Sequence, residues 1–257
     1  DLKYDEKGLA EKLGMKHGMP SHDTFSRVFR LIDAKAFMHA FIDWTYSYIT
    51  LANEHIAIDG KAVRAAAGKN APYIVNSFVC GQKLVLGQLL IDRKTNEING
   101  IPELVGLLDI KGCTITIDAI GCQKEIARAV RAAKAHYLLP LKDNQPTMHA
   151  EVLMFMEDLV ASGAKGLTFS RHVDKGHGRV EVRRVWHSSD VAWFADRTEW
   201  KDLAGFVMVE TVRTANGVEG KPERRCFITS LKADAKAFRK LVRRHWGIEN
   251  RLHWVLD

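Results

Sequence analysis

The chain has 257 residues, 46% of them hydrophobic and 27% charged, the composition of a globular protein with room for one large domain and an appendage. No apolar run is long enough to span a bilayer, and no basic start leads into an apolar core, so neither a membrane span nor a secretory leader is expected. The formal charge of +7, from 38 basic and 31 acidic residues, favours a polyanionic partner, nucleic acid first.

Residues 1 to about 50 read as helical. Leu9 and Leu13 are one helical turn apart. Ser21, after the turn at Gly18-Met19-Pro20, is the expected N-cap of a helix with the apolar stripe Phe25, Val28, Phe29 and Ile32. Two short helices about a turn suit a DNA-reading helix-turn-helix; an ordinary helical hairpin is the simpler reading.

From about residue 55 the periodicity changes. HIAIDGKAV, PYIVNSFVC and KLVLGQLLID read as three strands, the last two joined by a hairpin at Gly81-Gln82. IPELVGLLD is a predicted helix. TITIDAIG is apolar on both faces, as a central parallel strand should be. QKEIARAVRAAK is an amphipathic helix and HYLLPL a further buried strand. The order β-β-β-α-β-α-β is that of an RNase H-like domain: a mixed sheet flanked by helices. Residues 144–160 follow as a helix with Pro146 in its first turn. Four strand-like runs then form a β-rich insertion at about 165–231, too long for a loop. From Asp234 the pattern is helical to the end. The expected organisation is a helical segment at 1–50, a candidate for DNA binding, and an RNase H-like catalytic domain at 51–257. The start at Asp1 and the stop at Asp257 inside a helical pattern read as a fragment at both ends.

The four cysteines form no C-x-x-C pair, so buried free thiols are expected. No G-x-x-x-x-G-K-[ST] loop is present, which disfavours nucleotide hydrolysis. The chemistry is sought in acids. Asp59 closes the first strand and Asp118 the fourth, and in an RNase H-like sheet these strands are neighbours. Two carboxylates at adjacent strand ends resist joint ionisation unless a cation lies between them. Mg²⁺ suits them, with Mn²⁺ as its substitute, because it is hard and keeps positions open for water and phosphate. A third acid on a helix packed against the sheet would complete a two-metal site, and Glu249 is the candidate. Singly, each of these acids reads as a turn residue or a solvated helix residue. Around Glu249, however, Trp246, Ile248, Leu252 and Trp254 leave little room for a solvent-facing helix. His245, Glu249 and His253 are spaced for one helix face, but the outer two are roughly 12 Å apart along it, too far for one zinc ion.

Six segments carry a more specific likeness: PSHDTFSRVF, IAIDGKAVR, ITIDAIGCQKEIA, YLLPLKDNQP, HGRVEVR and RRHWGIENRLHWVLD. In this order and over nearly the whole chain, they resemble the DDE transposases of bacterial insertion sequences, of the H-repeat-associated (ISAs) type. The resemblance implies Mg²⁺-dependent DNA cleavage and strand transfer by Asp59, Asp118 and Glu249, on an RNase H-like core with a β insertion before the third acid. It also implies a homodimer on double-stranded DNA that recognises terminal inverted repeats and joins them to target DNA. The expected compartment is the cytoplasm, at the nucleoid. Val242 and His245 stand where the wider superfamily places a Tyr and an Arg, with Arg244 one step off.

The expected DNA contacts are Lys61 and Arg64 after the first acid, Lys142 past the fifth strand, and Arg179 in the insertion. Arg243, Arg244, His245, Asn250 and His253 join them around Glu249. Asn144 is either a further site residue or the cap of the next helix. Lys124, Arg128, Arg131 and Lys134 form a basic stripe that reads first as a solvated face, and second as a backbone-binding one. Trp186 and Trp193 read as core. Two other functions fit the same residues: a metal-dependent nuclease without strand transfer, and a decayed or domesticated DNA-binding protein without catalysis.

Overall fold

A computed structural model describes residues 11–12, 14–62, 73–91, 97–163, 165–176, 179–249 and 252. The chain divides into two compact units, Asp1–Trp44 and Thr45–Asp257. Among the described residues of the first part of the chain, α1 spans His22–Leu31 and α2 begins at Ala34 and runs to Tyr48. Ser21 caps α1 as its sequence position suggests, accepting a hydrogen bond from the backbone N–H of Thr24. Asp33 does the same for the N–H of Ala36 at the start of α2. Leu9 and Leu13 lie outside the described residues.

The larger unit is built on one ten-stranded mixed sheet in the order β3-β2-β1-β4-β5-β10-β8-β7-β6, with β9 paired to β8. β1 (His55–Ala62), β2 (Tyr73–Val79) and β3 (Leu84–Ile91) are antiparallel. β4 (Thr114–Ile117) runs parallel to both β1 and β5 (His136–Leu141). This is the RNase H-like arrangement, with the TITI strand central and parallel as its apolar faces require. Its helices are α3 (Glu97–Gly106), α4 (Lys124–Ala132) and α5 (Pro146–Ser162). Side chains alternate across a strand, so Ile56 and Ile58 share one sheet face with Ile115 and Ile117. All four are buried.

The insertion is not a separate sheet. Its strands are β6 (Thr168–Gly176), β7 (Arg179–Ser188), β8 (Gly205–Ala215), β9 (Val218–Glu219) and β10 (Glu223–Thr229). β10 pairs antiparallel with β5, from Cys226 opposite Leu141 to Thr229 opposite Leu138, and carries the core sheet onward.

α6 (Ala235–His245) opens on Asp234, whose side chain accepts from the N–H of Ala237, and crosses the other sheet face. Phe238 and Val242 pack on Val185, Val207, Val209, Phe227 and Leu138. Arg239 donates to Ser170 on β6, while Ile248, beyond the helix end, packs on Ala57 of β1. The helical segment therefore runs over the insertion strands to the core strands. None of the four cysteines forms a disulfide; Cys113, Cys122 and Cys226 are buried and Cys80 is half-buried. Among the described residues no helix is long and apolar enough to cross a membrane.

Candidate active site

The face of the sheet that α6 crosses carries the acids. On β1 alternation puts His55, Ala57 and Asp59 on that face, and on β4 it does the same for Thr114 and Thr116, leading to Asp118. Asp118 follows β4 directly, in extended conformation, and starts the 3-10 turn Ala119–Gly121. Glu249 lies one helical turn past His245. One oxygen from each of Asp59, Asp118 and Glu249 falls within 4.8 Å of the others. Asp59 is buried; Asp118 and Glu249 are exposed.

Local sequence explains how this point is held. Gly60, after Asp59, faces the opposite side, where a Cβ would lie 2.4 Å from the Tyr73 ring. The missing side chain lets Tyr73 pack there and donate its hydroxyl to buried Glu97 at 2.9 Å. The Gly60 N–H donates to Asp59 at 2.8 Å. Behind Asp118, Asn144 donates to the carbonyls of Ala119 and Cys122, and Gln145 donates to Cys122. Asn144 thus clamps the turn that follows Asp118. The N-cap position of α5 belongs to Gln145, which makes no side-chain cap bond.

A buried polar chain runs into the same point. His55 Nε2 is 2.7 Å from Thr116 Oγ1. That oxygen is 2.8 Å from His245 Nδ1. His245 Nε2 is 3.3 Å from Asp118 Oδ1. His55 is buried, which pushes its pKa down to about 3, helped by the nearby charge of Arg244. It is therefore neutral at physiological pH.

Asp59 moves the other way. Burial, and next the charge of Asp118, push its carboxyl up to about 7, against the smaller pull of the Gly60 N–H. A divalent cation between Asp59 and Asp118 would relieve their mutual repulsion. The donors are hard oxygens, converge on one point and open to a cleft. That fits a hard divalent cation that retains water.

The cleft has a volume of about 830 Å³ and runs from Asp118 and Glu249 along β5, β10 and β8. Lys142 lines it, as do Arg183, Arg213, Arg224 and Arg225 of the insertion. The four insertion arginines were not singled out from sequence. The signal available was strand alternation: Glu181, Arg183 and Val185 share a face in RVEVRRVWHS. Trp246 also lines the cleft, exposed, with the Arg225 guanidinium 5.6 Å from its ring centre.

The other expected contacts scatter. Arg243 pairs with Asp174 and joins Arg183, Arg225 and Trp246 around a smaller pocket. Arg244 is exposed, and its carbonyl accepts from the Cys80 thiol. Lys61 is half-buried beyond Asp59, and Arg179 is exposed at the start of β7; neither lines the cleft. His245 turns both ring nitrogens to protein groups. Arg64, Asn250 and His253 lie outside the described residues. Lys124, Arg128 and Arg131 of the basic stripe pair with Glu199, Glu125 and Asp202, so much of that stripe is spent on the protein itself. Trp193 stacks on Phe155 at 4.4 Å, and Trp186 lies 5.3 Å from Phe169.

Comparison with known proteins adds a family to this geometry. A family model described as "Transposase DDE domain" matches residues 50–257, and one described as "DDE_Tnp_1-associated" matches residues 2–45. An uncharacterized protein in the dhlA 3' region of Xanthobacter autotrophicus is 42% identical, over 89% of this chain and 78% of its own length. Putative transposase YncI of Escherichia coli O157:H7 is 40% identical, over 100% of this chain and 68% of its own. H repeat-associated putative transposase YhhI of Escherichia coli (strain K12) is 35% identical, over 94% and 66%.

Proposed function

The chain belongs to the transposase DDE-domain family, and from that premise we propose that it is a DNA transposase that cuts the ends of an insertion element and joins them to target DNA. Asp59, Asp118 and Glu249 are its metal-holding acids. The observation that carries this reading is the convergence of their oxygens within 4.8 Å of one another at the mouth of a cleft lined by Lys142 and the insertion arginines. Bound Mg²⁺, or Mn²⁺ in its place, would neutralise charge on the scissile phosphate and on the attacking and leaving oxygens.

The chain's own residues bind and orient. Asp59 and Asp118 project from adjacent strand ends, and Glu249 closes the third side from the crossing helix. Lys142 holds a phosphate at the cleft wall, and the insertion arginines follow the backbone beyond it. In the first step water attacks phosphorus at the element end, the bond to the 3′ oxygen breaks, and a 3′-OH is released. That hydroxyl then attacks a target phosphodiester. A new phosphorus–oxygen bond forms, and the target's own 3′-OH leaves. Residues 1–50 serve as a DNA-binding segment and 51–257 as the catalytic domain with its insertion at about 165–231. A homodimer holds the two terminal repeats together. Arg64, Asn250 and His253 are assigned to DNA contact with Lys61, Arg179, Arg243 and Arg244, and the protein works at the nucleoid.

Anomalous scattering from crystals soaked in Mn²⁺, paired with an assay on DNA carrying the element's inverted repeats, tests this reading. Manganese among the three acids, with joined products that Asp118→Asn abolishes, is the expected result. Metal bound elsewhere sinks the assignment of the acids. Cut but unjoined ends would make the protein a nuclease. Sequence-specific DNA binding indifferent to metal and to Asp118→Asn would make it a non-catalytic binder.

A further inference from the structure

The hydrogen-bonded chain from His55 to Asp118 has one proton arrangement that leaves no donor stranded. Thr116 brings one hydroxyl proton between two imidazoles, with distances of 2.7 and 2.8 Å. His55 Nδ1 is buried and has no hydrogen-bond partner. Suppose His245 donated from Nδ1 to Thr116. The hydroxyl would then either donate to His55 Nε2, which puts the proton of neutral His55 on Nδ1, buried with no acceptor, or accept from both rings and leave its own proton without a partner. In the opposite direction every proton is used: His55 Nε2–H donates to Thr116, Thr116 donates to His245 Nδ1, and His245 Nε2–H donates to Asp118. Only the His55 Nδ1 lone pair goes unmatched, and a lone pair is the less costly group to leave bare.

We infer that His245 is a positioning residue: Thr116, itself bonded to His55, holds the ring through Nδ1, and the Nε2–H fixes the rotation of the Asp118 carboxylate. The three links come from three elements, β1, β4 and the end of α6. Thr116 and Asp118 are two residues apart and share a strand face, so the group that sets the tautomer and the group that receives the N–H belong to one rigid segment. His245 and Glu249 are four residues apart on a helical turn, so the same bonds seat the turn that brings Glu249 to the site. The arrangement matches the general way an imidazole tautomer is fixed by the bond its other nitrogen makes. It deepens the proposed function, because it rests on Asp118 being a metal ligand.

The test is long-range ¹H–¹⁵N correlation of the histidines in the full, metal-free chain at neutral pH, together with Mn²⁺ titration. Protonated Nε2 and bare Nδ1 are expected at His245 and at His55. Thr116→Val should remove the preference for one tautomer at His245 and weaken Mn²⁺ binding about 10-fold, the usual effect of losing a group that orients a metal ligand. Thr116→Ser should restore both. A second pair works if the valine variant does not fold: His245→Gln keeps a donor near the Nε2 position and should bind Mn²⁺ as the wild type does, while His245→Asn should not. A wild-type His245 protonated at Nδ1, or on both nitrogens, overturns the inference, as does Thr116→Val with unchanged spectrum and affinity. A wild type that carries the expected tautomer but binds no Mn²⁺ would instead strike the metal-site reading.

Discussion

The acid end of the core strands and the far end of the insertion treat the same chemical group in opposite ways. On β1 the Asp59 carboxyl is pushed up to about 7 by burial and by Asp118. On β8 Glu210 is equally buried, and burial pushes it up too, but its bonds to Arg184 and Arg224 bring it below the usual carboxylate range. Register explains the second case. Arg184 on β7 and Arg224 on β10 both stand directly opposite Glu210, so the acid is bracketed by cations. On the face that α6 crosses, Arg213 pairs with Glu181 and Glu223, and Arg183 with Glu181. The acids of the insertion are thus met by arginines, whereas the acid end keeps an electrostatic demand that a divalent cation would meet.

The comparison breaks most visibly at the acids. Asp59→Asn, Asp118→Asn or Glu249→Gln should each lower DNA cleavage by about a thousandfold, roughly 4 kcal/mol in the barrier, while far-ultraviolet circular dichroism stays unchanged. Loss of less than tenfold for all three would remove the distinction between the two ends. In the core between the two regions, Phe238→Ala should cost about 3–5 kcal/mol in urea unfolding, because the ring is fully buried between α6 and the insertion strands.

The metal-free protein offers a sharper contrast through pH. Asp59 has a folded pKa of about 7 against 3.8 for the ordinary carboxyl, so the folded state holds the proton more tightly than the unfolded chain. Its contribution to stability is complete below pH 3.8 and is lost as pH rises through about 7. Glu210 has the opposite sign: its folded pKa is lowered, so its contribution is present above the ordinary carboxylate range and is lost on acidification. Asp59→Asn should flatten the loss of stability between pH 4 and 7, roughly the interval between the two Asp59 values. Glu210→Ala should cost about 2 kcal/mol near neutral pH and less in acid. Denaturant midpoints across that range check both. The smallest effect is expected at the start of α6, where Asp234→Ala removes an N-cap worth about 1 kcal/mol and should leave the pH profiles unaltered.

The strands of the core were legible because their signals are local. HIAIDGKAV and TITIDAIG carry the alternation and the apolar faces of the strands they form, and Asp59 and Asp118 could be placed at adjacent ends once the strand order was read. Glu249 was legible as a candidate through its apolar neighbours and through the resemblance of RRHWGIENRLHWVLD. The Arg–Glu network was not, since which arginine meets which glutamate depends on the register of β7, β8 and β10. Nor was the role of Asn144, which reads equally well as a cap or a site residue until the turn after Asp118 is seen beside it.

The sequence by itself determined the kinds of element, their order, the two strand-end aspartates and the family to which the whole belongs. These follow from periodicity and from contiguous motifs. Tertiary structure decided which side chains meet: the insertion strands joining the core sheet through β10, α6 crossing that sheet to bring Glu249 toward Asp59, and the path from His55 through Thr116 to His245. Thr116 bonds to residues 61 and 129 positions away. Contacts across such separations are set by strand register and helix packing, and no local pattern in the chain encodes them.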